Sequence, residues 1–199
     1  MFVQGFERFL VGHGLEMRWD RFALFQNIYR PGASEHLELA RGRELFDAFF
    51  RLDPHDIDPA AGASDALAAW AREASILILT NAPPASREPR RNWLARHGLA
   101  YPLLIGAGPK GPTVAQLAAR TRGPVAFIDD LLSNLDSVGE AAPAVKRFQM
   151  IADPRLRPLA PCAPERHQRV DEWPALTAAV ADALGLSAPG AWAGAGPGR

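Results

Sequence analysis

The sequence predicts an α/β protein: a parallel sheet with helices on both faces, preceded by a small helical segment. Short apolar runs recur from residue 64 onward, at 76–79, 103–105, 125–128 and 148–151. Helix-spaced stretches separate them, and strands alternating with helices mark a parallel sheet. The runs at 76–79 and 125–128 are apolar throughout rather than alternating, as in strands covered on both faces. Ligands of such sheets bind beyond the carboxyl ends of the strands.

Residues 1 to 52 read as helical. Phe2, Phe6, Phe9 and Leu10 fall at spacings of three and four, one face of a first helix ended by Gly12 and Gly14. Trp19, Phe22, Phe25 and Ile28 form a second stripe, closed by Pro31 and Gly32. Leu37, Leu39, Leu45, Phe46, Phe49 and Phe50 predict a third helix. Pro54, Pro59 and Gly62 punctuate a junction, and Ser64 reads as the N-cap of a helix through Leu67 and Trp70. Arg90 to His97 reads as helix with Gly98 as its C-cap. Arg87, Arg90 and Arg91 read as its solvated start. Pro112 suits the first turn of a helix through Val114 and Leu117, and 173–184 reads as a final amphipathic helix. The division expected is a helical cap at 1–55, a core at 56–186 and a disordered Gly/Ala/Pro tail at 187–199.

Composition bounds the function. The chain has 199 residues, 48% hydrophobic and 22% charged, an ordinary globular balance. Lys plus Arg is 22 and Asp plus Glu is 22, so nothing suggests nucleic-acid binding. The single Cys162 makes no internal disulfide, and the five histidines are scattered without metal-ligand spacing. No apolar run approaches 18 residues, and the N-terminus lacks signal-peptide features, so the expected location is the cytoplasm, away from membranes.

The chemistry-bearing residues sit where an α/β sheet holds its ligands. The run 76–79 ends in Thr80 and Asn81, and the run 125–128 ends in Asp129 and Asp130. Between them Lys110 opens a helix in GPKGPTVAQL. A hydroxyl can donate to a phosphate oxygen, and a lysine can neutralise charge building on a phosphoryl group. Adjacent carboxylates suit Mg²⁺, a hard cation with oxygen ligands.

This order resembles the haloacid dehalogenase (HAD) superfamily of hydrolases, with a Rossmannoid parallel sheet. There motif two is an apolar strand ending in Ser or Thr, matched by Thr80 in ILILTNAP. Motif three is a lysine at a helix start, matched by Lys110. Motif four is an apolar strand ending in acidic residues, matched by Asp129 and Asp130 in VAFIDDLLSNL. The resemblance covers roughly residues 60 to 186. It implies Mg²⁺-dependent hydrolysis of a small phosphorylated substrate. Lys110 is then the catalytic cation, Thr80 and Asn81 bind phosphate with it, and Asp129 and Asp130 hold the metal. Where the family often has a further Asp, Asn134 stands, a weaker metal partner that can still contact the site. A response-regulator-like domain would place its acidic pair on its first strand, which this order does not.

The family's first motif, a strand ending in D-x-D-x-T or D-x-D-x-V, is missing. Its first Asp is the nucleophile and its second the acid and base. Residues 1 to 50 hold only Asp20 and Asp47. The triplet Asp56-Ile57-Asp58 follows LDPH and precedes Pro59, so it reads as a decoy. The first strand is central in the family's sheet, and its loss leaves a gap with unpaired backbone groups. Two explanations stand. The first places the true start upstream by about 20 residues, one strand and its loop, with MFVQGFERFLVGHGL as the helix that follows motif one. The second is a degenerate relative, a non-catalytic phosphate-binding or interaction module. The first is favoured, and under either the 199 residues alone are expected to lack turnover.

Overall fold

A computed structural model describes residues 2–52 and 57–187. Along the chain, α1 is Phe2–Gly12, β1 Glu16–Met17, β2 Ile28–Tyr29 and α2 Leu39–Arg51. Then come α3 at Ala63–Trp70, β3 at Ile78–Asn81, α4 at Arg87–Arg96, β4 at Leu103–Gly106 and α5 at Gly111–Ala118. The last part holds β5 at Ala126–Asp129, α6 at Leu132–Ala141, β6 at Lys146–Gln149, β7 at Gln168–Arg169 and α7 at Trp173–Leu184. The class is α/β, with small sheets. β1 pairs with β2 antiparallel, β3 pairs with β4, and β5, β6 and β7 form a parallel sheet in that order. Among the described residues no helix is long and apolar enough to cross a membrane.

The described residues form two compact units. One draws on 2–52, 57–60, 78–105 and 153–161, the other on 61–77, 106–152 and 162–187. The first unit packs α1 on α2. Phe6 and Leu10 of α1 are fully buried with Ile28, Leu45, Phe49, Phe50 and Ile57. The rings of Phe6 and Phe49 lie 5.5 Å apart, within the range of favourable aromatic pairs. Gly5 permits this packing, because a Cβ there would stand 2.0 Å from Ile57 Cδ1. Trp93 of α4 donates its indole N–H to the Ile57 carbonyl at 2.6 Å.

The second unit buries Ala66 and Trp70 of α3, Phe148 of β6, Met150, and Leu176 and Val180 of α7 around one core. Trp70 donates its indole N–H to the Thr177 carbonyl at 3.3 Å. In the parallel sheet Asp129 lies opposite Gln149, and Gln149 opposite Arg169. This register leaves the end of β5 level with the start of the loop into α6.

Five expectations are corrected. The stripe from Trp19 to Ile28 is not a helix: a 3-10 turn at Phe25–Asn27 leads into β2. Fully buried Asn27 donates its side-chain amide to the carbonyls of Arg21 and Ala23, at 2.9 and 2.8 Å. Those bonds offer the backbone an alternative to the helical ladder. The 76–79 run is half-buried, not covered on both faces, and its strand lies two residues later at Ile78–Asn81. It belongs to a two-stranded sheet, so it lacks the cover a central strand receives. Ser64 is not the N-cap. The chain turns at Gly62, φ 83°, and α3 begins at Ala63. Arg90 is half-buried rather than fully solvated: its guanidinium lies over the Phe50 ring at 5.2 Å and burial lowers its pKa. The strand expected at 148–151 lies earlier, at Lys146–Gln149. Residues 53–56 of the junction, and the tail beyond Ser187, lie outside the described residues.

Candidate functional site

The site is built on three element ends in the second unit. β5 delivers Asp129 at its last position, with a side chain only 4% exposed. Burying a carboxylate is costly unless it is paired and hydrogen-bonded. Asp129 is both. Its Oδ1 accepts from the Leu131 backbone N–H at 3.0 Å and from Asn134 Nδ2 at 2.9 Å. Its Oδ2 accepts from Lys110 Nζ at 2.6 Å. Lys110 precedes α5, and its ammonium also lies 5.9 Å from the centre of the Phe127 ring.

The placement of Lys110 depends on a close approach of two helices. A Cβ on Gly111 would stand 2.1 Å from the Ser137 carbonyl oxygen. Only glycine lets α5 begin against α6 there. The Ser137 hydroxyl oxygen accepts the Gly111 N–H at 3.1 Å, satisfying one of the donors a helix start leaves open. Asn134 and Ser137 are three residues apart on α6, so both face the same side.

Asp130 follows on the chain and is exposed to solvent. Its carboxyl is pushed up to about 6, by burial first and by the negative charge of Asp129 second. Solvent reaches the group although protein packs densely around it, so repulsion between the two carboxylates is the firmer cause. A proton or a cation relieves that repulsion.

Lys110, Asp129 and Asp130 therefore converge. Thr80 and Asn81 end β3 in the first unit, Thr80 half-buried and Asn81 exposed. Asn134 contacts the site as a donor that fixes Asp129. Ser137 and the Leu131 N–H were not foreseen from sequence. The spacing of Asn134 and Ser137 after Asp129 is the signal that could have found the first of these. Of the triplet at 56–58, Asp56 lies outside the described residues. Ile57 is buried in the first unit's core and Asp58 is exposed.

The residues suit a hard cation in a restricted sense. Among the described residues no group of three or more His, Cys, Asp or Glu converges as a metal cage. Mg²⁺ is commonly held by one or two carboxylates and keeps several waters. Asp130 and the Lys110-facing oxygen of Asp129 fit that mode, and the raised pKa of Asp130 marks a carboxylate that gains from a cation. The unit's other buried titratable group is structural. Arg147 Nε donates to His167 Nδ1 at 3.2 Å, so His167 carries its proton on Nε2 and donates it to Asp136 at 2.7 Å. His167 and Arg166 hold the Asp136 carboxyl below the usual range.

Comparison with family models, with curated proteins and with solved structures returned no match.

Proposed function

We propose that the protein carries a Mg²⁺-dependent phosphate site of the HAD-hydrolase kind, serving phosphomonoester hydrolysis on a small phosphorylated substrate. The observation that carries this reading is the Lys110–Asp129 ion pair of 2.6 Å at the carboxyl end of β5, with Asp130 beside it. Lys110 offers a positive charge to phosphoryl oxygens. Asn134 and the Leu131 N–H hold Asp129 so that the lysine stays oriented. Asp129 and Asp130 hold the metal, which when bound would offset charge on the phosphoryl group. Thr80 and Asn81, the further phosphate donors that the resemblance implies, end β3 in the first unit and take no part in this reading.

A second reading has its own support. No D-x-D follows an apolar strand in these 199 residues. A non-catalytic phosphate-binding module on the same scaffold would keep Lys110 and the acidic pair and lack the nucleophile. One experiment separates the readings. The 199-residue chain is assayed with p-nitrophenyl phosphate and Mg²⁺, for binding and for release of p-nitrophenolate. Binding without turnover is expected of these residues. A form extended by a strand ending in D-x-D should turn over; if it binds and still does not, the non-catalytic reading stands. Absence of binding in both forms rejects both readings.

A further inference from the structure

The first unit holds a second, independent feature, a surface hollow of about 200 Å³, half open to solvent, lined by His13, Leu15, Arg30, Leu37, Arg41 and Leu45. Its floor is apolar: Leu45 is buried at 3% exposure, and Leu15 and Leu37 are half-buried. Its rim is cationic. Arg30 and Arg41 are exposed, and His13 turns Nδ1 to the Phe9 carbonyl at 2.8 Å. Among the described residues no acidic side chain lines it. Arg30 has no ionic partner among the described residues. Arg41 pairs with Glu44 at 2.7 Å, but both side chains are more than half exposed. Exposed pairs of this kind contribute little and exchange readily for another anion.

We propose that this hollow binds a small organic carboxylate with a compact apolar body, its carboxylate on Arg30 and Arg41 and its body on Leu15, Leu37 and Leu45. The size follows from volume. A cavity of roughly 150 Å³ accepts a benzene ring, whereas drug-sized ligands need about 300 Å³ or more. The charge follows from the guanidinium fork, which matches a carboxylate with two parallel hydrogen bonds. The apolar floor excludes a bare, strongly hydrated anion as the preferred ligand. Nothing here rests on the Lys110 site.

The probe is benzoate, with benzamide as its uncharged counterpart, titrated into the full chain while leucine methyl resonances are followed by NMR. Saturable shifts at Leu15, Leu37 and Leu45 are expected with benzoate, and about tenfold weaker binding with benzamide. Arg30→Gln is expected to weaken benzoate about tenfold with an unchanged fold spectrum. If Arg30→Gln does not fold, Arg41→Gln reads the same contrast. Unshifted leucine methyls, equal binding of benzamide and benzoate, or wild-type affinity in the folded variant would each overturn the proposal.

Discussion

At the scale of single residues the site turns on how Asp129 is satisfied. Three donors converge on it from Lys110, Leu131 and Asn134. Replacing Lys110 by Met removes the cation but leaves two donors, so the loss sits below that of a fully orphaned buried charge. The expected cost is about 2–3 kcal/mol, read by denaturant unfolding, together with loss of phosphate binding. Asp130 predicts a pH dependence. Its folded-state pKa, about 6, is raised from the ordinary value of 3.8. The folded chain therefore holds this proton more tightly than the unfolded chain. Asp130's contribution to stability falls as pH rises from 3.8 to about 6 and is level above it. A bound cation competes with the same proton. Mg²⁺ affinity should thus rise through pH 6, and Asp130→Asn should flatten that profile in a titration from pH 5 to pH 8. A profile unchanged in the variant would remove Asp130 from the metal site.

At the scale of elements, the helices that set the site depend on one glycine. Gly111→Ala puts a Cβ 2.1 Å from backbone oxygen, so the start of α5 must move. The expected result is a loss of about 1–3 kcal/mol and weaker phosphate binding, because Lys110 moves with α5. Wild-type stability would show that α5 and α6 are farther apart than described. Element by element, legibility followed locality. α7 matches its sequence-read bounds, and α5 begins beside Pro112 as expected, because apolar spacing and turn residues there agree. The stretch at 19–28 misled because Asn27 donates to the nearby Arg21 and Ala23 carbonyls, a local alternative to the helical ladder that apolar spacing does not show. β7 has two polar residues, Gln168 and Arg169, and no apolar pattern to reveal it. The site divided the same way. A strand end marked Asp129 and Asp130 and a helix start marked Lys110, whereas Ser137 acts through a helix contact at which only its spacing after Asp129 hints.

At the scale of the whole molecule, charge and sheet membership matter most. The formal charge is zero and the pI is about 7.0, so repulsion between molecules is weakest near neutrality. Solubility should pass through a minimum near pH 7 and recover on either side. A flat solubility profile would point to specific rather than charge-governed association. Among the described residues three sheets hold the strands in small groups, and β5, β6 and β7 form a parallel run. The coarse α/β class was legible because strand and helix signals alternate. The grouping was not, since pairing depends on which strands are present to be neighbours. The central claim is that Lys110, Asp129 and Asp130 form one phosphate-and-metal site. Calorimetric titration of inorganic phosphate into the full chain, with and without Mg²⁺, tests it most directly. The account predicts binding about tenfold tighter with Mg²⁺, lost in Lys110→Met and made Mg²⁺-independent in Asp130→Asn. Phosphate affinity unaffected by Mg²⁺ and by both substitutions would contradict it.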